Sequence, residues 1–146
     1  MSAASLEEKA RILLVDDDDG LLKLGREQLE QMGFKVITCH NGQEAVEKAL
    51  RFKPDIALVD VIMPGMNGWQ VCKTLKSDPE TSSIPIFYVT CLGDEEDIHR
   101  HWRSGADGYF IKPFDFESVA KRLVEVIEKQ RRARSSNPQQ AHARTP

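Results

Sequence analysis

Two kinds of hydrophobic pattern alternate along the chain. Short continuous apolar runs suit strands that are buried on both faces, and apolar residues at spacings of three and four suit helices that pack on a sheet. The predicted strands span about 11–15, 34–38, 55–60, 84–90 and 108–112. The predicted helices span about 19–32, 42–52, 67–77, 94–104 and 115–131. This alternation predicts an α/β domain with a parallel sheet and helices on both of its faces.

Local signals support several of the predicted helix ends. Asn41 and Asn67 stand just before two helices, where an asparagine side chain can cap the first turn. Gly33 follows the first helix, and glycine commonly ends a helix. The first helix presents one set of residues on its inward face: Leu22, Gly25, Leu29 and Met32.

The length and composition fit one domain with a short tail. A chain of 146 residues usually forms one domain, and 40% apolar residues suffice for a core. Residues 1–9 carry no demanding pattern and are expected to be a lead-in, and residues 10–131 form the predicted domain. Residues 132–146 are rich in Arg, Ser, Gln, Pro and Ala, and we expect them to be disordered.

Charge and cysteine content exclude several classes of protein. Residues 1–128 carry 15 basic and 23 acidic residues, while five basic residues and no acidic ones follow, so an acidic domain ends in a basic tail. We therefore expect no nucleic-acid partner. No apolar stretch approaches the roughly 20 residues of a membrane span, and the N-terminus does not resemble a secretory signal. The three widely spaced cysteines imply no disulfide framework, so we expect a cytoplasmic protein without membrane association.

The predicted strands end in residues that suit phosphoryl chemistry. Asp16 and Asp17 follow the first strand, Asp60 the third, Thr90 the fourth and Lys112 the fifth. Sites in parallel sheets lie beyond the carboxyl ends of the strands. Crowded carboxylates repel one another, and a hard cation such as Mg²⁺ relieves that repulsion. A carboxylate, Mg²⁺, a hydroxyl and an ammonium group around one point would suit transfer of a phosphoryl group to an aspartate.

Four segments resemble one family. Residues 12–17, 60–68, 85–90 and 105–114 look like the motifs of the CheY-like receiver domain of two-component response regulators, and each stands in the expected order. The resemblance covers about residues 10–131. It implies a flavodoxin-like, doubly wound (βα)5 fold whose five parallel strands have the order 2-1-3-4-5.

The resemblance also implies roles for the acidic residues. Asp60 would be the phosphoacceptor. Asp17 would bind Mg²⁺ directly, together with Asp60 and the backbone carbonyl of Ile62. Asp16 would hold the metal ion largely through water.

Further roles concern the phosphoryl group and the switch. By resemblance, Thr90 and Lys112 would bind the phosphoryl oxygens, and the Lys112–Pro113 peptide bond would be cis. Tyr109 matches the aromatic residue that moves inward when the threonine responds to phosphorylation. An ordinary half-buried tyrosine is the alternative interpretation.

Three positions near the acceptor depart from the pattern common in the family. Ile62 and Leu92 are apolar where polar residues often stand, and Cys91 is larger than the residues common there. Apolar side chains at the positions of Ile62 and Leu92 should hinder a hydrolytic water, so we expect a long-lived phosphoryl group.

Two pairs of residues on the fourth predicted helix allow more than one interpretation. Ile98 and Trp102 are four residues apart, and core packing is the first expectation, with contact to an output partner the alternative. His99 and His101 are two residues apart and should point away from each other, so they make a poor metal pair.

The resemblance implies a signalling function with protein partners. A sensor histidine kinase or a histidine phosphotransfer protein would supply the phosphoryl group. A downstream protein would bind the face formed by the fourth helix, the fifth strand and the fifth helix, and the sequence leaves homodimer formation open.

We do not expect the protein to be an enzyme, apart from Mg²⁺-dependent self-phosphorylation and self-dephosphorylation. The alternative is a pseudo-receiver that works without phosphorylation, and a phosphoesterase with an aspartyl nucleophile is a third hypothesis.

Overall fold

Strands and helices alternate strictly in the part of the chain that the structure describes. The computed structural model describes residues 10–136, with side chains up to residue 133. The strands are β1 (Arg11–Val15), β2 (Lys35–Cys39), β3 (Ile56–Val59), β4 (Ile86–Thr90) and β5 (Gly108–Ile111). The helices are α1 (Asp19–Gln31), α2 (Gly42–Phe52), α3 (Gly68–Ser77), α4 (Glu95–Arg103) and α5 (Phe116–Ser136). The predicted α/β alternation is confirmed.

The strands form one parallel sheet in the order β2-β1-β3-β4-β5. In the register, Val15 pairs with Val59, and Val59 in turn pairs with Tyr88. Strand order reverses between β1 and β3, where a chain of this topology opens a crevice at the carboxyl ends. The order implied by the resemblance is confirmed.

Each face of the sheet carries its own apolar layer. Successive side chains of a strand point to opposite faces. Accordingly, Ile12 and Leu14 of β1 pack with α1 and α5, and Leu13 and Val15 pack with α2 and α3. All four side chains are buried, which is why β1 reads as a continuous apolar run.

Helix α1 approaches the sheet closely at Gly25. A Cβ at this position would lie 2.8 Å from Leu14 Cδ2 and 2.9 Å from Phe116 Cζ. The inward position predicted for Gly25 is confirmed, and the absence of a side chain lets α1 and α5 pack side by side. At the end of α1, Gly33 has φ of 100°, a conformation that glycine adopts without strain.

The predicted caps are confirmed. The Asn41 side chain accepts a hydrogen bond from the backbone of Glu44 at 2.8 Å. The Asn67 side chain accepts one from the backbone of Gln70 at 3.0 Å, and the Gln70 side chain accepts one from the backbone of Asn67 at 2.8 Å. This reciprocal pair satisfies two backbone donors that α3 would otherwise leave free.

Helix α5 is longer than predicted. It continues to Ser136, whereas the sequence pattern placed its end near 131. The added segment, residues 132–136, contains two Arg and one Ala, which favour helix even without an apolar face. Just before it, Gln130 Nε2 donates to the Ser83 carbonyl at 2.9 Å. The expectation of disorder is therefore wrong for residues 132–136. The lead-in 1–9 and the rest of the tail, 137–146, lie outside the described residues.

Helix α4 turns a different face inward than predicted. Trp102 is 51% exposed, so core packing is wrong for this residue, while Ile98 is half-buried. His101, three residues after Ile98, is buried instead. Among the described residues, no helix is long and apolar enough to cross a membrane.

Candidate functional site

The backbone carries the parallel pairing one residue beyond β1 and β3. Asp16 N–H donates to the Cys39 carbonyl at 3.1 Å, and Asp60 N–H donates to the Val15 carbonyl at 2.9 Å. Because β1 and β3 are neighbours, these hydrogen bonds hold both aspartates at the same edge of the sheet. The strands therefore determine where the two carboxylates stand.

Three carboxylates converge at this edge. Asp16 is buried, Asp60 is 7% exposed and Asp17 is exposed. One carboxylate oxygen from each lies within 4.8 Å of the other two. Oxygen ligands of one octahedral Mg²⁺ lie roughly 3.0 Å apart when adjacent and roughly 4.2 Å apart when opposite, for Mg–O distances of about 2.1 Å. The three carboxylates must therefore draw closer together to bind one ion, and three converging carboxylate oxygens are the hard donors that Mg²⁺ prefers, so the chemistry of this donor set fits Mg²⁺.

Lys112 brings a positive charge to the carboxylates. Its Nζ lies 3.1 Å from Asp16 Oδ2 and 3.9 Å from Asp60 Oδ2. Its backbone N–H donates to the Thr90 carbonyl at 2.8 Å, which continues the pairing of β4 with β5. The Lys112–Pro113 bond is cis, as the resemblance implied.

Burial and crowding shift the pKa values of this cluster. Burial raises the pKa of Asp60 to about 6, the Asp16 carboxylate acts in the same direction, and the Lys112 ammonium opposes both. Burial acts to lower the pKa of Lys112, but its hydrogen bond to Asp16 and the charges of Asp16 and Asp60 outweigh that effect, so the pKa is raised. The ionised Asp60 carboxylate is thus held at an energetic cost that a bound cation would relieve.

Thr90 is the last residue of β4, and Tyr109 lies on the neighbouring strand β5. Thr90 is buried at the end of β4, and its Oγ1 accepts a hydrogen bond from Leu92 N–H at 3.1 Å. Tyr109 pairs with Tyr88 in the register and is half-buried, with its ring centroid 5.9 Å from that of Trp102. Tyr109 therefore contacts α4, while the Thr90 hydroxyl is held by the segment that follows β4.

The residues around Asp60 differ in exposure. Ile62 is 55% exposed, and its N–H donates weakly to Asp60 Oδ1 at 3.4 Å. Leu92 is half-buried and Cys91 is exposed. Gly68 packs its Cα against the Asp60 carbonyl oxygen so closely that a Cβ would overlap it. The start of α3 thus packs tightly against the segment that carries Asp60.

Sequence reasoning missed the buried histidine near this site. His99 is exposed and His101 is buried, so the two point apart as expected, but the environment of His101 was not anticipated. The only sequence signal is its spacing of three from Ile98, which places both on one side of α4.

Comparison with protein families and curated proteins gives a consistent answer. The family model of the response regulator receiver domain matches residues 12–124. The chain is 40% identical over 118 residues to protein PilH of Pseudomonas aeruginosa, a match that covers 81% of this chain and 98% of PilH. It is 42% identical over 106 residues to response regulator PleD of Caulobacter vibrioides, covering 73% of this chain but 23% of PleD. The chain therefore spans one curated relative almost completely and a fraction of another.

Solved structures agree. The chemotaxis protein CheY4 of Vibrio cholerae has a TM-score of 0.77 at 30% identity, covering 81% of this chain and 98% of that one. The signal receiver domain of a histidine kinase from Syntrophus aciditrophicus has a TM-score of 0.77 at 31% identity, covering 82% and 91%. The chain belongs to the response regulator receiver domains and is a phosphorelay receiver of two-component signal transduction.

Proposed function

We propose that Asp60 is the residue that accepts the phosphoryl group. The observation that carries this proposal is the convergence of Asp16, Asp17 and Asp60 within 4.8 Å, with the Lys112 ammonium 3.9 Å from Asp60. Among the three carboxylates, Asp60 occupies the acceptor position of the receiver-domain motif that residues 60–68 resemble. Its raised pKa marks a carboxylate whose charge is poorly stabilised until a partner arrives.

We further propose that the cation is Mg²⁺, held directly by the carboxylates of Asp17 and Asp60 and the backbone carbonyl of Ile62, and largely through water by Asp16. When bound, Mg²⁺ would neutralise charge that develops on the phosphoryl oxygens. Asp60 Oδ forms a bond to phosphorus while the bond from phosphorus to the histidine nitrogen of the donor breaks. Lys112 stabilises the negative oxygens of the transferred group, and the Thr90 hydroxyl donates to one of them.

In this proposal the protein acts once on each phosphoryl group and is not a turnover enzyme. A sensor histidine kinase or a histidine phosphotransfer protein supplies the group. Movement of Thr90 toward the phosphoryl group and of the Tyr109 ring inward would then change the face formed by α4, β5 and α5, which a downstream protein reads. The free cysteines at 39, 72 and 91 support a reducing, cytoplasmic location.

The test is an intact-mass measurement after incubation with Mg²⁺ and a small acyl phosphate or phosphoramidate. We expect the wild type to gain one phosphoryl group and Asp60→Asn to gain none. Asp55→Asn is the matched control, because Asp55 immediately precedes β3 while Asp60 immediately follows it. It should gain one group like the wild type.

Other outcomes would contradict the proposal. Absence of any mass gain in the wild type would favour the phosphorylation-independent pseudo-receiver. Consumption of many donor molecules per protein would indicate a phosphatase. A gain that persists in Asp60→Asn would assign the acceptor to another residue.

A further inference from the structure

Helix α4 buries a histidine among aromatic rings. His101 is fully buried. Its ring centroid lies 4.9 Å from that of Tyr88, 5.5 Å from that of Tyr109 and 6.0 Å from that of Trp69. A buried polar ring requires partners for both of its nitrogens, since an unpaired buried polar atom is costly.

Both nitrogens of His101 have partners, and these partners determine the tautomer. Trp69 Nε1 lies 3.0 Å from His101 Nδ1, and an indole N–H can only donate, so Nδ1 must accept. The proton of the neutral ring is then on Nε2, which lies 3.2 Å from the Leu92 carbonyl oxygen and donates to it. Only the neutral ring with its proton on Nε2 satisfies both hydrogen bonds.

The hydrogen bonds of His101 continue to the phosphoryl site. Leu92 N–H donates to Thr90 Oγ1 at 3.1 Å, so Trp69, His101, Leu92 and Thr90 form one connected series. At the other end, Trp69 is in the first turn of α3, next to Gly68, whose N–H donates to the Val61 carbonyl at 2.9 Å. Both ends of the series therefore adjoin Asp60, one through β4 and one through the loop after β3.

Trp69 is also held from a second side. The Arg100 guanidinium carbon lies 3.8 Å from the Trp69 ring centroid, within the range of a cation–π interaction. Arg100 and His101 are consecutive residues of α4, so this helix contacts both the face of the Trp69 ring and its N–H group. Movement of the segment at Leu92 would therefore change the contacts that α4 makes with Trp69.

We propose that His101 is a positioning residue that couples the Thr90 hydroxyl to the start of α3. It holds the Leu92 carbonyl, and with it the segment that follows Thr90, at a set distance from Trp69. When Thr90 turns toward a phosphoryl group, it gives up the hydrogen bond from Leu92 N–H, and the change passes through His101 to the Trp69 indole. The second half of this proposal rests on the proposed function, whereas the resting hydrogen-bond series does not.

The first experiment needs no phosphoryl group. The chain has two tryptophans, so ¹⁵N-labelled indole groups give two N–H signals, and Trp102→Phe identifies that of Trp69. In His101→Phe, which keeps an aromatic ring but has no nitrogens, we expect the Trp69 signal to shift and its exchange with water to accelerate about tenfold. His101→Gln retains one acceptor and one donor and should restore most of the wild-type signal. Ring ¹⁵N shifts of wild-type His101 should show a proton on Nε2 and none on Nδ1.

Substitutions of Thr90 test the connection. Thr90→Val removes the acceptor of Leu92 N–H and should shift the Trp69 signal, whereas Thr90→Ser keeps the hydroxyl and should leave it in place. Circular dichroism and urea midpoints establish that each variant is folded. The proposal is overturned if the Trp69 signal is the same in wild type and folded His101→Phe. It is also overturned if Thr90→Val leaves that signal unchanged, since His101 would then only fill space.

The second experiment adds Mg²⁺ and a small acyl phosphate, with intact mass measured on the same samples. We expect phosphorylated wild type to show a shifted Trp69 signal, and equally phosphorylated His101→Phe to show no further shift. Equal shifts in both variants would overturn the coupling. If no mass gain occurs in the wild type, the proposed function fails, and the Thr90 and His101 variants of the resting protein still decide the role of His101.

Discussion

Replacing the Asp60 carboxylate with an amide should stabilise the protein when divalent cations are absent. The carboxylate is 7% exposed and stands beside Asp16, so its negative charge is desolvated and repelled. The Lys112 ammonium lies 3.9 Å from Asp60 but 3.1 Å from Asp16, so it can keep its shorter ion pair when Asp60 becomes Asn. Asp60→Asn therefore removes an unfavourable charge and leaves the ion pair between Lys112 and Asp16 intact.

The magnitude follows from the pKa of Asp60. It is about 6 in the folded protein against an ordinary value of 3.8. That difference corresponds to about 3 kcal/mol at most. Because the folded state binds the proton more tightly, this stabilising contribution is fully present below the unfolded pKa and is lost as the pH rises through about 6. An amide resembles the protonated carboxyl, so we expect Asp60→Asn to gain about 2–3 kcal/mol over wild type above that pH, and little near pH 4.

Urea unfolding with a chelator present, near pH 4.5 and again near pH 7.5, measures this difference. Asp55→Asn is the control. Asp55 Oδ2 accepts a hydrogen bond from Arg11 N–H at 2.7 Å and lies 4.0 Å from Arg131, so this variant should be no more stable than wild type at either pH. Adding Mg²⁺ should stabilise the wild type and reduce the advantage of Asp60→Asn. Equal stability of Asp60→Asn and wild type near pH 7.5, or the same gain at both pH values, would refute the reasoning.

Three further predictions concern hydrolysis, packing and the acceptor loop. Changing Ile62 and Leu92 together to Asn should shorten the lifetime of the phosphorylated protein several-fold. Intact-mass measurements after removal of the donor follow the loss of the phosphoryl group. An unchanged lifetime would refute the idea that apolar side chains exclude water. Leu123→Ala should cost about 2–5 kcal/mol in urea unfolding, because Leu123 is fully buried, and a loss below 1 kcal/mol would contradict tight packing of α5. Gly68→Ala should lower the free energy of unfolding by about 1–3 kcal/mol and weaken Mg²⁺ binding, because a Cβ would overlap the Asp60 carbonyl. Calorimetry measures the affinity for Mg²⁺, and an unchanged affinity would show that the loop adjusts freely.

The sequence predicted the architecture because most of its local periodicities were unambiguous. The apolar run of β1 could only be buried on both faces, and the alternation of strands with helices then required a parallel sheet. The same logic indicated that residues following the strands would meet at one edge. Asp16 and Asp60 do meet there, because each aspartate backbone extends the pairing of the neighbouring strands by one residue.

Helix α4 shows where periodicity was insufficient. It is short and mostly polar, so the sequence did not distinguish a face through Ile98 and Trp102 from one through Ile98 and His101. Hydrophobicity favoured Trp102, yet His101 is the buried residue, since Trp69 and Leu92 satisfy both of its nitrogens. Partners from distant parts of the chain made a polar residue the better core residue.

The sequence by itself determined the order of strands and helices, the positions of the caps and the identity of the groups at the strand ends. Only the tertiary structure decided how strongly those groups interact: the proximity of three carboxylates, the pKa of Asp60 near 6 and the connection from Thr90 through His101 to Trp69. The physical reason is the separation along the chain between the residues that interact. Helix and strand patterns depend on neighbours a few residues away, whereas desolvation and hydrogen bonding between side chains depend on distances that exist only after the sheet and its helices have packed.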